Sequence, residues 1–380
     1  MQGSLAYSIP LFDLNYDHEE EEAVLATLRS RWVSTGPRTL EFERLFAEAL
    51  GARHAVAVAN CTCALHLALQ IVGVRDGDEV IVPSLTFVAT ANAVRYVRAT
   101  PVFCDIRGPD DLNIDSEQLE SLITEKTRAI VVMHYGGFPC DMDPILGLAR
   151  KHRLRVVEDA CHGPLSEYRG RKLGTMGDIG CFSFFSNKNI SIGEGGMLVT
   201  GDDEFAERAR LLRSHGMTTL SYQRASGHST RYDVLESGYN YRMDDIHATL
   251  GIVQLGKLRD DIRRRAIVRD RYLDAFSDAP GIVVPFGHRD GLVSNYIFPI
   301  VLDGANAARR DAVRDAMHER GIQTSIHYPA VHRFSIFEQY HRPLPMTERI
   351  SDTIVTLPMH GRLSADDVSR VAATLRELTG

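Results

Sequence analysis

HAVAVANCTCALHLALQIV, residues 54–72, decides the fold. Its first six residues alternate small and β-branched apolar side chains and read as a strand over 54–59, while 62–72 carries apolar residues at helical spacing. The same alternation recurs downstream. Strands are predicted at 79–82, 101–104, 129–133 and 154–157, and helices at 88–97, 116–122 and 142–152. Short buried apolar runs alternating with amphipathic helices make βαβ units, so the large domain is α/β with a mostly parallel sheet sandwiched by helices. Beyond Asp159 come short runs at 180–185 and 196–200 and a long helix at 244–275, its apolar residues Ile246, Leu250, Ile252, Val253, Leu255 and Leu258 near helical spacing. A separate unit follows: a strand at 296–302, a helix at 307–320, an extended piece at 324–328, and a helix at 365–378 that Ser364 caps, with Asp366 and Asp367 on its first turn. We expect residues 1–255 to form the large domain and 256–380 a smaller α+β domain.

Composition excludes several classes. The chain has 380 residues, 44% of them hydrophobic and 24% charged, enough for a sizeable core. Lys and Arg total 43 against 50 Asp and Glu, a net charge of -7, and no basic run marks a phosphate-backbone footprint, so no nucleic-acid partner is expected. The acidic run Asp17-His18-Glu19-Glu20-Glu21-Glu22 is the opposite of a signal peptide's basic start, and no apolar run reaches membrane-spanning length. No membrane partner and a cytoplasmic location are expected. Six cysteines without a C-x2-C pair read as reduced thiols, and no metal site is expected.

In a parallel α/β sheet, ligands sit outside the carboxyl ends of the strands. Here those ends carry Asn60-Cys61-Thr62-Cys63, Ser84-Leu85-Thr86-Phe87, His134-Tyr135-Gly136-Gly137 and Glu158-Asp159-Ala160-Cys161-His162. Asp159 after its strand could be a turn residue, or a carboxylate held in the cleft. Lys188 lies within Phe182-Ser183-Phe184-Phe185-Ser186-Asn187-Lys188-Asn189, ahead of Gly193-Glu194-Gly195-Gly196. A lysine there could snorkel to solvent; in an aromatic, low-dielectric setting its charged form is instead disfavoured, as a Schiff-base nucleophile requires. An aspartate, such a lysine and a helix start at Thr62 able to hold a phosphate are the groups that pyridoxal phosphate chemistry needs.

These motifs resemble the DegT family of pyridoxal-phosphate-dependent sugar aminotransferases, which have the fold-type-I, aspartate aminotransferase-like architecture. The likeness extends to Ser34-Thr35-Gly36-Pro37, Gly238-Tyr239-Asn240-Tyr241-Arg242-Met243, His327-Tyr328-Pro329 and Leu357-Pro358-Met359. The resemblance implies Lys188 as the Schiff-base lysine, Asp159 as the pyridinium partner and His162 beside the cofactor ring. It places Phe87 on the ring face, and Ser183, Thr62, Cys63 and Cys61 around the phosphate. Asn240 would reach the phosphate of a neighbouring subunit, so a homodimer with sites at its interface is implied. Cys61 stands where the family usually has Gly, which would restrict the backbone if that position needs positive φ. The implied reaction is a ping-pong transfer from L-glutamate to a keto group on a nucleotide-linked deoxysugar. The alternatives are a cyclitol or other non-sugar ketone acceptor, a sugar dehydration, or a non-catalytic cofactor-binding regulator. Substrate candidates are His327, Tyr328, Arg231 and Arg242, with the polar segment 214–232.

Overall fold

Each strand of the main sheet is a short apolar run flanked by turn or cap residues. In the computed structural model, which describes residues 7–219, 232–287 and 291–380, the strands of the first part of the chain are β1 (His54–Val58), β2 (Glu79–Pro83), β3 (Thr100–Cys104), a hairpin of β4 (Ile106–Gly108) and β5 (Asp111–Ile114), and β6 (Thr127–Met133). Then come β7 (Arg155–Asp159), a hairpin of β8 (Glu167–Tyr168) and β9 (Arg171–Lys172), β10 (Ile179–Ser183) and β11 (Gly196–Thr200). The main sheet has seven strands in the order β1-β11-β10-β7-β6-β2-β3. Pairing is parallel from β3 through β10, and β11 runs antiparallel to both β10 and β1.

Alternation along the strands sorts the core into two layers. Ala55, Ala57, Ile81, Ile130, Val132 and Val156 pack against Phe42, Phe46 and Leu50 of α2 (Pro37–Leu50). Their neighbours Val56, Val58, Val80, Val82, Val131 and Val157 pack on the other face against α3 (Cys61–Ile71) and α4 (Val88–Tyr96). The remaining helices of this part are α1 (His18–Arg29), a single turn α5 (Leu119–Leu122), α6 (Met142–His152) and α7 (Asp203–Leu212).

Helix α8 (Asp245–Phe276) runs from this core into a second one. There Val268, Tyr272 and Phe276 meet the antiparallel sheet β12 (Ile282–Val283), β13 (Phe298–Leu302) and β14 (Ile354–Leu357), together with α9 (Ala307–Glu319) and α11 (Ala365–Thr379). Helix α10 (Pro345–Thr353) leads into β14. Among the described residues no helix is long and apolar enough to cross a membrane.

Several expectations need correction. The helix at 116–122 shrinks to α5, because Asp115 takes the Glu117 N–H and the Gln118 side chain into a turn. The strand at 296–302 begins only at Phe298, since the Tyr296 N–H is drawn to Gly136 O. The piece at 324–328 makes a single bridge, Ser325 with Thr356, and no strand. Helices α1, α2 and α7 were missed despite legible caps: a capping box of Asp17 with Glu20, Pro37 at the first position of α2, and Asp202 before α7. Helix α8 overturns the apolar-face expectation most clearly. Ile246, Leu250, Ile252, Val253 and Leu255 are only half-buried, while Thr249, Gln254, Asp261 and Arg265 are buried beside Leu258. Those polar groups are satisfied by Thr27 at 2.7 Å, by Glu20 at 2.7 Å and by one another at 2.5 Å, so burial follows partners rather than hydropathy.

Candidate active site

The carboxyl ends of β1, β2, β7 and β10 open on one cavity of about 400 Å³, lined among others by Asn60, Cys61, Thr62, Phe87, Asp159, Ser183, Lys188, Tyr296, His327 and Tyr328. Strand alternation makes Asp159, the last residue of β7, face it. Thr90 on α4 donates to Asp159 Oδ2 at 2.8 Å and the Cys161 N–H donates to Oδ1 at 3.3 Å. Thr86, one helical turn before Thr90, contacts the Thr90 hydroxyl at 2.9 Å. Two donors leave part of the carboxylate facing the cavity.

Lys188 sits in the connection between β10 and β11. Its N–H closes a turn on Phe185 O at 2.8 Å, and Tyr16 and Asn189 anchor the same loop through Ser191 O at 2.7 Å and Ser294 O at 2.9 Å. The ammonium lies 4.1 Å from the centre of the Tyr296 ring. Here the expectation from sequence is corrected. Burial does push the lysine down, but Tyr296, Cys161 and Asp159 outweigh it and hold its pKa above the ordinary value, so the charged form is favoured.

On the same cavity stands the N-terminus of α3. Asn60 caps it, its Oδ1 accepting the Cys63 N–H at 3.0 Å. Cys63 is thereby committed to the cap and does not line the cavity, whereas Cys61 and Thr62 do. Cys61 begins the helix and is not among the residues of positive φ, so its side chain costs no backbone strain. Burial first, then the Asp159 charge, pushes its thiol far above the usual range, so it stays uncharged beside an anion. Gly196 packs against this corner: a Cβ there would lie 2.4 Å from the Asn60 carbonyl carbon. Ser183, ending β10, accepts only a long contact from the Phe185 N–H at 3.4 Å, leaving its own proton for the cavity.

The remaining wall is aromatic. Phe87, 55% exposed, stands at the mouth, its ring centre 6.1 Å from that of Tyr328. His162 is fully buried behind the wall rather than on it. Its Nδ1 accepts the Gly136 N–H at 3.2 Å, so Nε2 carries the proton and donates it to Tyr328 Oη at 2.9 Å. Its ring also packs 4.3 Å from Tyr296. Burial, then the charge on Lys188, depresses its pKa strongly and keeps it neutral. Tyr328 in turn, raised far above the usual phenol range chiefly by burial, keeps a hydroxyl proton to present to the cavity.

Sequence reasoning gave Asn60 no role beyond its place at a strand end, and missed Thr90 and Tyr296. Asn60 was legible as a helix cap and Thr90 as the i+4 partner of Thr86; Tyr296 comes from a distant segment and leaves no local signal. Asn240 and Arg242 do not reach this cavity: they line a separate depression with Trp32, Ser34 and Thr35. Arg231 lies outside the described residues, as does most of the segment 214–232.

The donor set fits pyridoxal phosphate. A carboxylate and an amine lining one cavity, amides at a helix start and a glycine allowing close packing behind them match a cationic ring nitrogen, an aldehyde and a phosphate. Comparison with known proteins agrees. Residues 15–376 match the model of the DegT/DnrJ/EryC1/StrS aminotransferase family. The spore coat polysaccharide biosynthesis protein SpsC of Bacillus subtilis is 40% identical over 98% of this chain and 97% of its own length. PseC of Helicobacter pylori, an aminotransferase involved in the biosynthesis of pseudoaminic acid, superposes with a TM-score of 0.92 at 30% identity, over 98% of this chain and 99% of that one. Spr1654 of Streptococcus pneumoniae, solved in a PLP form, gives 0.92 at 29% identity over 98% and 99% of the two chains. The chain belongs to the DegT/DnrJ/EryC1/StrS aminotransferase family and is a pyridoxal-phosphate-dependent aminotransferase.

Proposed function

We propose that this enzyme moves an amino group from L-glutamate to a keto group of a nucleotide-linked deoxysugar, with both half-reactions served by the one cavity. The observation that carries the reading is the placement of Lys188, Asp159 and the start of α3 on one cavity. The sugar acceptor is supported by the polysaccharide and pseudoaminic acid pathways named for SpsC and PseC.

Asp159 would hold the ring nitrogen, the Cys61 and Thr62 amides and the Ser183 hydroxyl the phosphate, and Phe87 one ring face. Bound there, pyridoxal phosphate supplies an electron-accepting ring that lets the donor's Cα lose its proton. Lys188 Nζ takes that proton and returns it on the other side of the transfer. It must act as the free amine, and pairing Asp159 with a cationic ring nitrogen removes one of the charges that hold it protonated. His162 acts from behind, fixing Tyr328 so that its hydroxyl points a donor at the substrate, with His327 beside it. Residues 1–255 would build the cleft and 256–380 cover it. Asn240 and Arg242, remote from this cavity, would serve the site of a second copy in a homodimer.

The test is a turnover assay with the cofactor-loaded enzyme, L-glutamate and a panel of nucleotide-linked keto-deoxysugars and cyclitol ketones. We expect one equivalent of 2-oxoglutarate from glutamate alone and multiple turnovers only with a keto-sugar. Lys188→Ala should lower the rate by about 10⁴-fold with the fold intact. Turnover confined to cyclitol ketones would refute the acceptor, and an active Lys188→Ala enzyme would refute the lysine's role.

A further inference from the structure

We propose that His332, His341 and Glu348 form a site for a divalent transition-metal ion of the zinc, cobalt or nickel class. Each offers one ligand atom, and the three atoms lie within 4.8 Å of one another. The residues come from a short 3-10 turn (Val331–Arg333), the residue that ends the next one (Ser335–Tyr340), and α10. Two imidazoles and a carboxylate are a common zinc ligand set. Tetrahedral coordination separates neighbouring ligand atoms by about 3.3 Å; His332 Nε2 and Glu348 Oε1 are already 3.1 Å apart. The ring centres of His332 and His341 are 5.2 Å apart, and His341 is exposed, so rotation of that one side chain brings the third atom in.

The surroundings orient the ligands as metal sites require. His332 is fully buried, and its Nδ1 lies 2.6 Å from Ser84 Oγ. With a metal on Nε2, Nδ1 carries the proton and donates it to Ser84, which fixes tautomer and ring plane. Arg333 holds the other oxygen of Glu348 at 2.9 Å, and the Leu344 N–H steadies Oε1 at 3.1 Å. Arg333 is shared with Asp352 at 3.0 Å, so its charge is not wholly set against a cation at Oε1.

None of the three lines the catalytic cavity. The site is instead a brace. His332 follows Tyr328 by four residues, and the Val331 N–H bonds Ser84 O at 3.0 Å, just past the end of β2. A metal here ties the segment carrying His327 and Tyr328 to α10.

Zn²⁺ titrated calorimetrically into the full-length, cofactor-loaded enzyme should bind at one site per chain. His341→Ala, exposed and so compatible with folding, should weaken binding by at least about 100-fold, and Ser84→Ala by about 10–100-fold. Co²⁺ should give visible d–d absorption without a near-ultraviolet thiolate band. Absence of Zn²⁺ binding, equal affinity in the wild type and His341→Ala, or a thiolate band assigning the metal to the cysteines would each overturn the proposal.

Discussion

Glu158 and Asp159 are consecutive residues of one strand, both buried, yet they lead opposite lives. Glu158 faces away from the cleft and is saturated: it accepts from the Gly174, Met176 and Gly177 N–H groups at 2.8, 2.7 and 2.6 Å, and from His134 Nε2 at 2.9 Å. His134 must donate there, because its Nδ1 accepts the Cys140 N–H at 3.1 Å. Although burial pushes the Glu158 carboxyl up, these donors outweigh it and hold its pKa below the ordinary value. Asp159 has two donors and an open edge. A carboxylate with every lone pair occupied is a structural pin; one left short of partners toward a cavity is a binding group.

Paired substitutions test that contrast most strongly. Glu158→Ala strands buried donors and should destabilise the fold by about 3–5 kcal/mol in urea unfolding. Asp159→Asn should change stability by less than about 1 kcal/mol, yet lower turnover by about 10²–10³-fold. Similar stability losses in both variants would erase the distinction.

The second test is pH. His327 is pushed down to about 3, first by burial and then by the Lys188 charge. The unfolded chain therefore takes up a proton near its ordinary value of 6.5 that the folded chain refuses, and stability falls as pH drops below that value. Between pH 7 and pH 5 this costs about 2 kcal/mol. His162 acts in the same direction, whereas Glu158, with its folded value depressed, adds a loss only below about 4.5. The urea midpoint should drop between pH 7 and 5, and His327→Asn should shrink the drop. A pH-independent midpoint across that range would contradict the burial assigned to these histidines.

The smallest effect should come from Thr90→Val, which removes the 2.8 Å bond to Asp159 Oδ2. We expect a stability change of about 1 kcal/mol and turnover lowered several-fold, with Asp159 less firmly aimed. Unchanged kinetics would mean that Cys161 alone positions the carboxylate.

The strand positions, the parallel core and the positions of Asp159, Lys188 and Thr62 were legible because each depends on local periodicity, whereas the order β1-β11-β10-β7-β6-β2-β3 was not. The long helix at 244–275 was visible in outline, but not its buried face. The groups that bury Thr249 and Gln254 are Thr27 and Glu20, more than two hundred residues earlier.

What the sequence determined by itself was the class of fold, the cofactor and the identity of two groups that line the one cavity, since these rest on residue type and short spacing. Only the tertiary structure decided that Lys188 rests on Tyr296, that His162 meets Tyr328 from behind the wall, and that Asn240 stands outside its own chain's cavity. Each of these turns on which distant side chain supplies the partner, and a hydrogen bond or a burial between remote segments has no period along the chain to announce it.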